Sequence, residues 1–287
     1  MKDYFFIYSQ HLNDQQISQF QQENALSFYG ACQYIGYTLA FFEGQLTETL
    51  KAKAEAIFCD YSNLAITPKL SEKGLLVMDM DSTAIKIECI DEIAKLAGTG
   101  DEVSAITASA MRGELDFEQS LRKRVSTLKD SSETILQKVR ENLPLMEGFE
   151  EMVALLKENG WHLAIASGGF DYFADYLKNK YGLDAAVSNQ LEIVNGKLTG
   201  QVKGKVVDAQ FKAETLQALA KQFDIPQSQW VAVGDGANDL PMLKTASLGV
   251  ALHAKPKVQQ QAKTVVNFGD LKALLLLLNA QRLFENL

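Results

Sequence analysis

The sequence is short of three things, and each shortage excludes a class. Cysteine is scarce and odd in number. Cys32, Cys59 and Cys89 stand far apart without metal-ligand spacing, so a disulfide framework is excluded and a reducing compartment fits. Long apolar runs are missing. The longest, Ala273–Leu278, falls far short of a bilayer span. The opening stretch MKDYFFIYSQHLND lacks a secretory signal's apolar segment and cleavage site, so a cytoplasmic protein is expected. Positive charge is in deficit, giving a formal net charge of -8. That argues against nucleic acid or an anionic membrane as the main partner, although a local set of cations could still hold an anionic small molecule.

What remains is an ordinary globular composition, with 47% apolar and 22% charged residues in 287. That length suits two domains better than one. The chain is organised around GLLVMDMDST at 74–83. An apolar run ends at Asp79, and Asp81, Ser82 and Thr83 follow. Such a run reads as a buried parallel strand, and carboxylates at its carboxyl end lie where open α/β sheets bind ligands. One reading is a magnesium site in which an aspartate also attacks phosphorus. The other is an acidic loop after a core strand.

Residues 1–70 predict strand 4–9, helix 13–22, two aromatic-rich strands near 26–29 and 37–42, helix 46–58 and strand 63–67. That order is the ferredoxin-like split unit, also used by ACT-type amino-acid sensors. No glycine-containing ligand turn stands out, so we read a packing or dimerisation module, which leaves a homodimer open. A linker is expected near Pro68–Lys73. His11 reads as a loop residue.

Helical periodicity over 84–145 predicts a cap inserted after the central strand, able to exclude water and recognise the unreactive part of a substrate. Glu88 and Arg124 within it could hold an ammonium and a carboxylate. Spacing alone favours two solvated helix faces. A second strand, 161–166, runs into Ser167–Gly168–Gly169, a phosphate-binding turn or merely a tight one. His162 begins that strand and reads as structural. Asn195–Gly196 predicts a hairpin over 186–204, as a small lid or an edge decoration. Lys212 begins helix 209–222 and could neutralise phosphoryl oxygens, or be solvated. A third strand, 230–233, ends in Gly234–Asp235–Gly236, with Asn238 and Asp239 following. Alternating strands and helices predict an α/β, doubly wound, mostly parallel sheet over 71–287.

Taken in order, DMDST (79–83), SGG (167–169), Lys212 and GDGAND (234–239) resemble the four signatures of the haloacid dehalogenase superfamily of aspartate-based phosphatases. IECIDEIAKLAG (87–98) and MRGELDFEQSLRKRVSTLKD (111–130) resemble the substrate-recognition helices of those members that act on O-phospho-L-serine. The resemblance covers roughly residues 74–270. It implies Mg²⁺-dependent hydrolysis of O-phospho-L-serine through an aspartyl-phosphate, the last step of serine biosynthesis. The alternative is action on another small phosphomonoester, or phosphoryl transfer to an alcohol. It assigns Asp79 as nucleophile and Asp81 as general acid/base. Asp79, the main-chain carbonyl of Asp81, and Asp235 would be metal contacts. Ser167, Gly168 and Lys212 would hold the phosphoryl group, with Asn238 assisting. Asp239 would position Lys212 or the metal shell. Glu88 would face the substrate ammonium and Arg124 its carboxylate, with Met111 and Phe117 lining the pocket.

Overall fold

The computed structural model describes residues 2–65 and 68–287. The chain opens with β1 (Tyr4–Ser9), α1 (Asp14–Glu23), β2 (Ser27–Tyr34), β3 (Tyr37–Glu43), α2 (Glu48–Ala56) and β4 (Asp60–Asn63). Asn13 starts α1 through a reciprocal capping box with Gln16, which is why the helix begins there. The four strands form one antiparallel sheet ordered β2-β3-β1-β4. This is the split arrangement expected from the element order.

The fourth strand lies earlier than the 63–67 expected from sequence, and Ile66 and Thr67 fall outside the described residues. It can start on a charged residue because Asp60 is satisfied. Its buried carboxylate accepts N–H bonds from Asn267 at 2.7 Å, Phe268 at 3.1 Å and Gly269 at 2.7 Å. Hydrophobic patterning cannot see a partner two hundred residues away.

The second part contains β5 (Leu75–Met78), then α3 (Cys89–Ala97), α4 (Gly100–Met111), α5 (Phe117–Ser126), α6 (Thr134–Glu141) and α7 (Phe149–Glu158). There follow β6 (His162–Phe170), α8 (Asp171–Tyr181), β7 (Ala185–Val194), β8 (Lys197–Lys203) and α9 (Ala209–Gln222). The chain ends with β9 (Trp230–Gly234), α10 (Leu240–Thr245), β10 (Leu248–Leu252), α11 (Pro256–Gln259), β11 (Thr264–Val266) and α12 (Ala273–Glu285).

Seven strands make a sheet ordered β11-β10-β9-β5-β6-β7-β8, parallel except for the last pair. The chain winds one way from β5 through β6 and the other way from β9. The carboxyl ends of β5 and β9 therefore flank the switch point, where doubly wound sheets open a crevice. Leu75, Leu76, Val77 and Met78 are buried on both faces of the sheet, the reason for an unbroken apolar run.

The expected linker is not loose. Leu70 N–H donates to Leu278 O at 3.0 Å, and Trp161 Nε1 donates to Leu70 O at 3.0 Å. Gln229 bridges Lys69 through both its N–H and its carbonyl. Phe6, Tyr8, Leu39 and Phe41, on one face of the first sheet, share a single core with Leu274–Leu278 of α12. The opposite face, with Phe5, Ile7 and Phe42, packs on the two N-terminal helices.

Helices α3–α6 form the inserted cap. It joins the sheet through two facing strands of linker, with Lys86 N–H on Pro144 O at 2.9 Å and Met146 N–H on Ala84 O at 2.9 Å. The β7–β8 hairpin turns at Asn195 and Gly196, both at positive φ (49° and 73°), as a type I′ turn requires. It is not free-standing. Asp130 N–H donates to Leu198 O, Leu198 N–H to Ser131 O, and Glu133 N–H to Gly196 O, each at 2.9 Å, so the hairpin is laced to the cap.

Candidate active site

Three neighbouring strands bring the motifs together. Asp79 follows β5, Asp235 follows β9, and Ser167–Gly169 lie within β6. Strand β6 was expected to stop at Ala166. It continues to Phe170, with its register against β7 shifting between Ala166 and Phe170. The irregularity turns the glycine-rich backbone toward the crevice side, where Ser167, Gly168 and Gly169 all line the same cavity.

That cavity has a volume of about 600 Å³. Its walls include Asp79, Asp81, Glu88, Met111, Phe117, Arg124, Ser167, Gly168, Asp235 and Asn238. Ten of the residues named from sequence thus face one space. The remaining two, Lys212 and Asp239, are fully buried behind it. Met111 stands at the mouth, 67% exposed.

Lys212 is the electrostatic centre. Its Nζ lies 2.7 Å from Asp79 Oδ2 and 2.7 Å from Asp239 Oδ1. Burial alone would lower its pKa, but Asp239 and Asp79 outweigh that and raise it, so it is a fixed cation. The solvated reading of this lysine is therefore overturned. Asp208 precedes helix α9, and its side chain caps Phe211 N–H at 2.8 Å, which fixes where Lys212 projects. Asp239 also accepts the Gly236 N–H at 2.9 Å.

Asp79 Oδ1 accepts the Met80 N–H at 2.7 Å. The chain then turns sharply, with Ser82 at φ 54°, a left-handed conformation that costs a non-glycine residue energy and gathers at functional sites. Ser82 Oγ donates to Glu88 Oε1 at 2.7 Å, and Thr83 Oγ1 to Asp235 Oδ1 at 3.3 Å. Asp81 differs from Asp79: its Oδ1 is buried without a hydrogen-bond partner. Burial, then the charges of Glu88 and Asp79, push its pKa well above the usual carboxylate range.

Burial and the neighbouring Asp239 and Asp79 push Asp235 up to about 7. Oxygens of Asp79, Asp235 and Asp239 lie within 4.8 Å of one another. Three carboxylates around one ammonium leave an excess of negative charge, and hard oxygen donors in such a set suit Mg²⁺ or a similar ion. The Asp81 carboxylate is not part of this cluster.

The glycines leave room for neighbouring side chains. A Cβ on Gly169 would sit 2.7 Å from Met80 Cε and 3.0 Å from Asp81 Oδ2, and one on Gly168 would sit 2.7 Å from Phe117 Cζ. Ser167 Oγ accepts the Gly169 N–H at 3.0 Å. Asn189 was not named from sequence. Its side chain donates to Gly168 O and accepts from Val207 N–H, both at 2.8 Å, tying the glycine turn to the segment that leads into α9. A lone Asn in a strand carries no sequence signal for that.

Arg124 is half-buried, with Nε unpartnered and no carboxylate within ion-pair distance among the described residues. A solvated face does not describe it. Burial lowers its pKa, partly offset by Asp91 and Glu88. His162 lies at the far end of β6, with Nδ1 2.9 Å from Asp184 Oδ1 and its ring stacked on Phe223, a structural placement.

A family model described as haloacid dehalogenase-like hydrolase matches residues 74–247. The chain is 56% identical over 278 residues to the phosphoserine phosphatase of Haemophilus influenzae, spanning 96% of this chain and 88% of that one. A solved, unliganded structure of a probable phosphoserine phosphatase from Vibrio cholerae superposes with a TM-score of 0.90 at 50% identity, over 99% of this chain and 88% of that one. A phosphoserine phosphatase solved as a phospho-aspartyl intermediate analogue gives a TM-score of 0.67 at 45% identity, over 71% of this chain and 98% of that one.

Proposed function

The chain belongs to the phosphoserine phosphatases within the haloacid dehalogenase-like hydrolase family, and we propose that it hydrolyses O-phospho-L-serine through a phosphorylated Asp79. The observation that carries this reading is the contrast between two carboxylates of one cavity. Asp79 touches a buried cation, whereas Asp81 has a raised pKa and an oxygen with no partner. One suits a nucleophile and the other a proton donor.

In the first displacement the Asp79 carboxylate attacks phosphorus and the P–O bond to serine breaks. Asp81 gives its proton to the departing serine oxygen. In the second, Asp81 takes a proton from water as that water attacks the phosphorus, and the Asp79–phosphate bond breaks to release inorganic phosphate. Lys212, Ser167 and Gly168 would hold the phosphoryl oxygens. Asn238 assists, and Asp239 holds Lys212 in place. Asp79, Asp235 and the main-chain carbonyl of Asp81 would hold Mg²⁺. When bound, the ion supplies positive charge that offsets repulsion between the phosphate and Asp79.

Glu88 faces the ammonium of the substrate and Arg124 its carboxylate, while Met111 and Phe117 close the apolar side. The reaction would be the last step of serine biosynthesis in the cytoplasm. The test is phosphate release from L-phosphoserine, with and without Mg²⁺, beside phosphothreonine, a sugar phosphate and an aryl phosphate. A strong, metal-dependent preference for phosphoserine is expected. Even turnover across the panel would sink the substrate assignment and leave the aspartyl-phosphate chemistry.

A further inference from the structure

Among the described residues, four buried side-chain polar atoms have no hydrogen-bond partner: Tyr8 Oη, Asp81 Oδ1, Thr107 Oγ1 and Arg124 Nε. Three of the four belong to residues lining the one cavity described above. A buried orphan polar atom is destabilising, and the three that belong to cavity-lining residues can be met by a bound ligand. Two of them already have one in the proposed reaction: Asp81 meets the leaving oxygen and Arg124 the substrate carboxylate. Thr107 has none.

Thr107 lies on α4, one helical turn before Met111, so both present to the same side. Together with Glu88 they also line an adjoining cleft of about 650 Å³, which Arg124 does not reach. Thr107 therefore lies on the Glu88 side of the cavity. An ammonium carries three N–H donors, and the Glu88 carboxylate already accepts one bond from Ser82.

We infer that Thr107 is a specificity residue whose hydroxyl accepts a hydrogen from the substrate ammonium beside Glu88. The inference rests on the proposed phosphoserine reading of the cavity.

The test is Thr107→Val, which exchanges the hydroxyl for a methyl group of similar size, with Thr107→Ser as the variant that keeps the hydroxyl. Each is assayed on L-phosphoserine, phosphoethanolamine, 3-phosphooxypropanoate and p-nitrophenyl phosphate, and melted without ligand. Thr107→Val should melt higher than the wild type, because the orphan atom is gone. It should raise KM roughly tenfold for the two ammonium-bearing substrates, the scale of one hydrogen bond to a charged group. The other two substrates should be unaffected, and Thr107→Ser should retain wild-type KM values. A Thr107→Val variant that still prefers phosphoserine with unchanged KM, or that loses equally on all four substrates, overturns the inference about Thr107 alone. A wild type with no preference for phosphoserine over p-nitrophenyl phosphate overturns the reading of the cavity, and this inference with it.

Discussion

Replacing Lys212 with methionine keeps an unbranched stem, one atom shorter, and removes the charge. In the wild type the ammonium is fully buried and lies 2.7 Å from each of two carboxylates, Asp79 and Asp239. Lys212→Met leaves both of these buried acids without their cation. Breaking a buried ion pair costs about 3–5 kcal/mol, a large share of a typical total of about 5–15 kcal/mol. At about 2–4 °C per kcal/mol for a chain of this class, melting should fall by about 6–20 °C. Adding Asp239→Asn should recover part of the loss, because it neutralises one of the orphaned acids, and the two changes should be clearly non-additive. Acid should narrow the gap. Burial, then the charge of Asp79, already hold the folded pKa of Asp239 above its unfolded value of about 3.9, so its penalty is present above that pH and fades as pH falls toward it. Turnover should fall by about 10²–10³, the usual effect of losing one preorganised charge stabiliser. Circular-dichroism melts of the single and double variants at pH 7 and near pH 4 decide the matter. A Lys212→Met melt within about 3 °C of wild type at pH 7 would refute the buried-cation account.

Glu88→Gln and Arg124→Ala should each lower kcat/KM for phosphoserine by at least about tenfold, the scale of a lost charge-assisted bond, and leave p-nitrophenyl phosphate nearly untouched; comparing the two substrates checks this. Because Asp235 is pushed up to about 7, an ion must displace its proton below that pH. Calorimetry should therefore show Mg²⁺ affinity falling by up to about tenfold per pH unit below pH 7. The sign for stability is the reverse: with its folded pKa raised, Asp235 contributes against folding above its unfolded value, so the metal-free protein should lose stability as pH rises from about 4 to 7. Removing residues 2–65 should give aggregated or strongly destabilised protein, because Phe6, Tyr8, Leu39 and Phe41 share a core with Leu274–Leu278; a soluble, fully active truncation would contradict that shared core.

The sequence was most legible where one local pattern meets one physical requirement. The unbroken apolar run before Asp79 demanded a strand buried on both faces, and Asn195–Gly196 demanded a type I′ turn; both are found. The clustering of Asp79, Ser167, Lys212 and Asp235 was legible only because their motifs occur in a familiar order. What spacing could not reveal was the surroundings. By spacing Glu88 and Arg124 read as solvated, and only packing of α3 and α5 over the crevice brings them to one cavity. Asp60 and Asn189 were invisible for the same reason, since each is explained by backbone groups distant in sequence. That the segment at Lys69–Glu72 is pinned could not be read from sequence, because Gln229, which bonds it, lies far along the chain.

The central claim is that phosphate passes through Asp79. Rapid acid quench of the enzyme with phosphorus-labelled L-phosphoserine, followed by peptide mapping, tests it directly. The account predicts label on the peptide that contains Asp79, label lost on brief exposure to base, and none on Asp79→Asn with its fold intact. Turnover by Asp79→Asn at the wild-type rate, or label carried on any other residue, would contradict it.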